Sequence, residues 1–398
     1  MTMLTCCPLM LSDGRIIDRP GFDAASGILF NPQGADFPPI PNEPSQDEAI
    51  KARDHLRALF SELPFVDDTS KAVLLSALLT ATSRPAYSCA PLFAFDAPAA
   101  GTGKSKLVDC CSILANGYEC PVVSQGDDKN EFEKRLGTEL IEGARMISID
   151  NCEQPLGGVL LNQTMTQQFI KVRILGQSKA PLIANSAMVF ATGNNLRFYG
   201  DMLRRGLICR LDAGVERPEL RSFKQRDPVE VLRDNRALYV ADALIILRAY
   251  HGAKDRVSTP PFGGFEGWSR LVRDALVWLG EKDPVSTIET ARAEDPERQR
   301  LAAVILQWNA VLSDRSLTAS EAVQTASAVD KNKFTYPDFR NALLEIAGDR
   351  GQINSYRLGK WLGRNKLKAV GAHRFAPDTP AYGNARWRLQ TRNNEGWN

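Results

Sequence analysis

At 398 residues the chain can hold two or three domains and bury a full core, and its ordinary share of aliphatic and aromatic residues excludes a disordered or fibrous protein. The net charge of +2 hides a gradient: residues 330–398 carry 13 Lys and Arg against 6 Asp and Glu, an excess of +7 that leaves −5 for residues 1–329, so nucleic acid is expected to touch the basic end. The 8 cysteines are scattered without a Cys-x-x-Cys and there are only 3 His, which supports neither a zinc site nor a disulfide framework; no apolar run spans a bilayer and the start lacks a signal-peptide pattern, so a cytoplasmic chain without membrane contact is expected.

The first forty residues contain two short strand-like runs, Arg15-Ile16-Ile17 and Gly27-Ile28-Leu29-Phe30, then a proline-rich linker from Pro38 to Pro44. Asp13, Asp18 and Asp23 read as turn residues rather than metal ligands. Ser45 and Glu48 have the spacing of a capping box and open a helix with Ile50, Leu56, Leu59 and Phe60 on one side. A second helix, Thr69 to Thr80, is expected to bury Val73, Leu74, Ala77 and Leu78 on one face. Strands are expected at Leu92–Phe95, Pro121–Val123, Met146–Ile149, Ala187–Thr192 and Leu207–Cys209, with a polar helix from Asp127 to Leu140. This alternation implies a mainly parallel sheet with helices on both faces. Beyond Pro218 the pattern is helical: Val229 to Asn235, Arg236 to Tyr250, Trp268 to Leu279 and Pro296 to Leu312. The end reads as three helices, Ala319 to Ser327, Pro337 to Ala347 and Ser355 to Arg364, followed by short strands at 373–375 and 385–389 about a turn-rich Pro377 to Asn384.

Chemistry concentrates between the first and last strands of the alternating region. Ala100-Gly101-Thr102-Gly103-Lys104-Ser105-Lys106 joins an apolar strand to a helix, the context a phosphate-binding loop requires. Gly101 and Gly103 let backbone N–H groups face phosphate oxygens, Lys104 reaches the β and γ phosphates, and Ser105 offers a hydroxyl to Mg²⁺. Pro98 stands where the first glycine of such a loop is usual. Met146-Ile147-Ser148-Ile149-Asp150 then brings an acid to a strand end, where it can organise the metal with Ser105. Asn151 follows where a second acid is common, and an amide can orient water without accepting its proton; Glu153 is the nearest substitute. The apolar strand ending at Asn194 delivers an amide able to hold the attacking water, the alternative being an Asn that starts a turn. Arg204-Arg205 precedes the last strand, where an arginine can reach a neighbour's site or simply form an exposed ion pair.

The order Gly101 to Ser105, Asp150, Asn194 and Arg205, with Lys171-Val172-Arg173-Ile174-Leu175-Gly176-Gln177-Ser178-Lys179 between the second and third, resembles the motif series of superfamily 3 helicases, AAA+ ring motors of viruses, phages and mobile elements. Ser148 to Asn151, Arg173 to Ser178 and Ala191 to Asn195 are similar to the ATPase part of phage and prophage primase-helicases. The resemblance implies a sensor role for Asn194, an arginine finger at Arg205, and a channel β-hairpin with Lys179 at its basic tip and Lys171 and Arg173 on its stem. On the residues alone, Lys and Arg alternate there with apolar side chains at period two, which also fits a basic edge strand. In the last segment Arg357, Lys360 and Arg364 share one face of a helix that Ser355 could cap, opposite Leu358, Trp361 and Leu362.

The fold class expected is α/β: a strand-turn segment (1–44), a helical collar (45–88), a P-loop AAA+ core (89–215), a helical lid (216–315) and a basic winged-helix DNA-binding domain (316–398). The function expected is that of an ATP- and Mg²⁺-dependent DNA helicase, acting as a ring that the resemblance implies is a hexamer, on single-stranded or forked DNA, with a primase or other replication protein as a further partner. Two alternatives remain open: an ATP-switched DNA-binding initiator or loader that does not translocate, and a non-enzymatic winged-helix DNA-binding protein.

Overall fold

The five apolar runs between residues 92 and 210 do form one sheet. In the computed structural model, which describes residues 3–174, 179–381, 384–393 and 396–397, they are β1 (Leu92–Ala97), β2 (Val122–Ser124), β3 (Met146–Asp150), β6 (Met188–Asn194) and β7 (Gly206–Arg210). A side hairpin, β4 (Phe169–Lys171) with β5 (Leu182–Ala184), interrupts the series. The sheet runs β7-β1-β6-β3-β2 with every pair parallel. β1 is buried along its whole length, as a strand covered on both faces must be, which is why it reads as a continuous apolar run rather than an alternation. Because all strands point the same way, the segments leaving β1, β3 and β6 emerge together at one edge.

Helices cover the sheet: α1 (Gln46–Ala58), α2 (Asp68–Ser83), α3 (Lys104–Asn116), α4 (Lys129–Ile141), α5 (Val159–Thr166), α6 (Pro228–Asp234) and α7 (Arg236–Gly252). The capping box at the start of α1 is formed, Ser45 Oγ accepting from Glu48 N at 3.2 Å and the Glu48 carboxylate accepting from Ser45 N at 2.8 Å. α2 differs from its expected one-sided form: from Ala72 to Ser83 every residue is buried. Its hydroxyls make this tolerable by bonding inside the helix, Ser76 to Val73 O, Thr80 to Ser76 O and Ser83 to Leu79 O, while Thr80 Oγ1 also accepts from the buried Trp268 Nε1 at 2.8 Å. Side chains of both α1 and α2 belong to the same core cluster as the sheet. The N-terminal segment joins the same core through Cys7, Leu9 and Met10. Asp13 and Asp23 accept from Arg15 and Ser26 in turns. All eight cysteines are free thiols and seven are buried; burial pushes Cys120 and Cys152 up to about 12. Among the described residues no helix is long and apolar enough to cross a membrane.

The chain divides into two units, Met1–Ala291 and Arg292–Asn398. The division moves α8 (Pro296–Leu312) out of the stretch expected to form a lid. Its Leu301, Val304, Ile305, Trp308 and Leu312 are core residues of the second unit, and Trp308 packs edge-on against Phe339 and Phe375 with ring centroids 5.9 and 5.1 Å away. The unit also holds α9 (Ala319–Ala326), α10 (Pro337–Ala347), α11 (Ser355–Asn365) and the antiparallel pair β8 (His373–Ala381) and β9 (Asn384–Asn393), which short strands at Leu317–Thr318 and Ala369–Val370 extend. The pair runs straight through the proline-containing stretch read as a turn, because an irregularity between Asp378 and Ala381 absorbs the mismatch. Asn354, not Ser355, caps α11, its Oδ1 accepting from Tyr356 N at 3.0 Å and Arg357 N at 3.1 Å.

Candidate functional site

The loop after β1 turns into α3 through two left-handed glycines, Gly101 at φ +76° and Gly103 at φ +100°. At both positions a side chain would be strained by the backbone and crowded by a neighbour. A Cβ on Gly101 would meet Glu219 Cβ at 2.9 Å, and one on Gly103 would meet Leu63 at 3.3 Å. The turn leaves the N-terminus of α3 open, with Lys104 as its first residue, and such a helix start gathers N–H donors and partial positive charge suited to an anion.

Lys104 Nζ donates to Asn194 Oδ1 at 2.8 Å and to Ala99 O at 3.1 Å, so two residues ninety apart in sequence meet at the same sheet edge. Burial lowers the Lys104 pKa, with Asp96 and Asp150 opposing the shift. Ser105 Oγ lies 3.5 Å from Asp150 Oδ1. Asp150 Oδ1 also accepts from Thr192 Oγ1 at 2.5 Å, and that hydroxyl accepts from Asn151 N at 3.2 Å. Hydroxyl and carboxylate oxygens side by side make a donor set suited to a hard cation. The glycines, Ala100, Thr102, Lys104, Ser105, Lys106, Asp150, Asn151, Thr192 and Asn194 all line one cleft of about 960 Å³. Lys106 adds little free charge, since its ammonium is paired with Asp227.

Asn151 adopts a left-handed backbone at φ +51°, and its side-chain amide donates to Glu153 Oε1 at 3.1 Å. The Glu153 carboxylate is thus reached from this position through the amide. Thr192 escaped the sequence reading because a threonine inside an apolar strand looks like an ordinary strand former. Asp96 escaped it too: it is buried at the end of β1, its Oδ1 accepts from Leu196 N at 2.7 Å, and burial raises its pKa against the pull of Arg210 and Lys104.

Arg205 is at the other end of the sheet. Leu92 N bonds to Arg205 O, so the length of β1, roughly 20 Å at strand rise, separates it from the loop of its own chain. Its Nη1 donates to Asn162 O in α5 at 2.7 Å and its Nη2 to Asp201 Oδ2 at 2.6 Å. The Arg205 side chain is 11% exposed and that of Arg204 51%, with Asp201 holding both.

The other basic residues lie on two separate elements. On the hairpin, Lys171, Arg173 and Lys179 are exposed while Ile170 and Val172 are buried, as the period-two alternation required. Lys179 O accepts from Ile174 N at 3.0 Å, and Leu175 to Ser178 lie outside the described residues. In the second unit, Arg357, Lys360 and Arg364 share the exposed face of α11 opposite Leu358, Trp361 and Leu362. Arg357 is partly spent, donating to Gly348 O at 2.7 Å, and the Lys360 ammonium sits 4.8 Å from the Tyr356 ring centre.

No family model and no curated protein matches the chain. Among solved structures, the chain is similar to the apo C-terminal region of NrS-1, at 12% identity over 93% of this chain and 83% of that one with a TM-score of 0.41. It is also similar to JCV helicase, at 10% identity over 65% of this chain and 71% of that one with a TM-score of 0.26. These are distant likenesses, and the chemistry of the site stands on its own residues.

Proposed function

We propose that the chain is an ATP-dependent DNA motor, a ring-forming helicase or translocase of the superfamily 3 type that serves replication of a phage, prophage or mobile element. The observation that carries this reading is the meeting of Lys104, Ser105, Asp150, Thr192 and Asn194 at one end of a parallel sheet, around a strand–glycine loop–helix turn. Lys104 and the N–H groups from Gly101 to Lys106 hold the β and γ phosphates. Mg²⁺ would be held by Ser105 and Asp150 and, when bound, neutralises phosphate charge. Thr192 fixes the Asp150 carboxylate in place. Asn194, released from Lys104 as the ammonium turns to phosphate, holds the attacking water. Arg205 serves a neighbouring copy's site, consistent with its distance from its own loop. Lys171, Arg173 and Lys179 grip single-stranded DNA, and Arg357, Lys360 and Arg364, on the second unit, whose α9 to α11 and hairpin are of winged-helix type, contact duplex phosphates.

Asn151 favours a second reading, an ATP-switched initiator or loader, because an amide tied to Glu153 suits slow hydrolysis. Forked-DNA unwinding separates the two: the motor unwinds with ATP, whereas the switch assembles on DNA and leaves the fork closed. Lys104→Ala should lower ATP hydrolysis about a hundredfold or more. Hydrolysis that survives this change would overturn both readings.

A further inference from the structure

The cleft at the phosphate loop extends past the residues that would hold phosphate. Its lining there includes apolar side chains, Leu59 and Leu63 after α1 and Pro218, Phe223 and Pro228 on the arm leading into α6, set among the polar and charged groups of the same arm. Phosphate oxygens gain nothing from these apolar side chains, since they seek N–H groups and cations. A flat, weakly polar ring does gain from them.

We propose that Phe223 is the shelf on which the base of a bound nucleotide stacks, and that the Gln225 amide reads the base edge, so that purine nucleotides bind in preference to pyrimidine nucleotides. This rests on the nucleotide reading of the loop.

The arm lies against the loop. Glu219 and Leu63 are the atoms that a side chain on Gly101 or Gly103 would strike, and the pairing of Lys106 with Asp227 ties the arm's far end to α3. The shelf is also held ready. The Arg221 guanidinium lies over the Phe223 ring, 5.2 Å from its centre, and donates to Glu62 O at 3.0 Å. The Glu62 carboxylate accepts from Lys224 N at 2.9 Å and Gln225 N at 3.0 Å, fixing the backbone that follows Phe223. Phe223 nevertheless stays 50% exposed and stacks on no other ring among the described residues. Ser61 Oγ donates to Ala58 O at 2.9 Å and lies 3.1 Å from the Gln225 amide, holding one end of it. The other end is turned to further partners, and a purine edge offers both ring-nitrogen acceptors and, in adenine, an amine donor. Two fused rings cover more of a phenyl face than one, which sets the direction of the preference.

Calorimetric titration of the full chain with ATP, CTP and inorganic tripolyphosphate, each with Mg²⁺, tests the assignment. The wild type should bind ATP more tightly than CTP. Phe223→Ala should weaken ATP about tenfold, the loss of one base–aromatic stack, leave tripolyphosphate unchanged and bring ATP and CTP together. Phe223→Leu, which keeps apolar bulk, should behave like the alanine variant, and Phe223→Trp should restore ATP. Equal weakening of ATP and tripolyphosphate in Phe223→Ala would overturn the shelf, because the arm would then only support the loop; so would unchanged ATP binding. A wild type that binds neither ATP nor tripolyphosphate would overturn the phosphate-loop reading itself.

Discussion

Asp96 closes the buried end of β1 beside Lys104, and its pKa is raised by burial. A carboxyl group whose folded pKa lies above its unfolded value is stabilising only while protonated. Its ionisation costs stability that grows as pH rises through the folded pKa. Asp96→Asn keeps an oxygen to accept from Leu196 N and cannot ionise, so it should raise the melting temperature at pH 7. The gain should shrink as pH falls toward about 4, the ordinary carboxylate range. Thr192 is the other polar residue inside the sheet with a site to serve. Thr192→Val matches its shape but leaves Asn151 N without its side-chain acceptor and Asp150 Oδ1 without the nearer of its two hydroxyl donors. A lost buried bond of this kind costs about 1–3 kcal/mol. Thermal unfolding should show that loss, and hydrolysis should need more Mg²⁺ to reach its half-maximal rate, because Asp150 is no longer held toward Ser105.

At the next scale, α11 shows how a cap is decided by one position. Asn354 and Ser355 are both good capping residues, yet Asn354 alone accepts from Tyr356 N and Arg357 N. Asn354→Ala should therefore destabilise by about 1 kcal/mol while Ser355→Ala stays near zero, a contrast that urea titration of the two variants resolves. The same comparison explains what was legible in the sequence. β1, β3 and β6 were plain because strands buried on both faces are continuous apolar runs, and the residues at their ends, Lys104, Asp150 and Asn194, could be placed at one edge from that alone. α2 misled because its buried side carries Ser and Thr whose hydroxyls are satisfied within the helix. β8 misled because Pro377 and Pro380 resemble a turn, whereas the irregularity after Asp378 keeps the strand paired. Phe223, Gln225 and Glu219 reach the phosphate loop from more than a hundred residues away, and no local pattern marks such a tertiary approach.

For the whole molecule, the place where one core ends and the next begins is set by α8 rather than by the run of basic charge. An expected boundary at residue 316 would leave the C-terminal unit without Leu301, Val304, Ile305, Trp308 and Leu312, all of them in its core. Burying five such side chains contributes on the order of 10 kcal/mol, comparable to the entire stability of a small domain. Trp308 matters most, since it is fully buried and joins Phe339 of α10 to Phe375 of β8. A fragment spanning 292–398 should therefore unfold in urea with a single sigmoidal transition by tryptophan fluorescence. A fragment spanning 316–398 keeps every basic residue of the +7 excess but should show no transition, its remaining aromatic core lying open on the side that α8 covers. If the shorter fragment unfolds cooperatively at the same urea concentration as the longer one, α8 is dispensable and the boundary belongs where the charge begins. If only the longer one folds, the DNA contact proposed for Arg357, Lys360 and Arg364 has to be measured on a chain that includes α8, because the face of α11 they share is set by Leu358, Trp361 and Leu362 on the opposite side, packed into that same core.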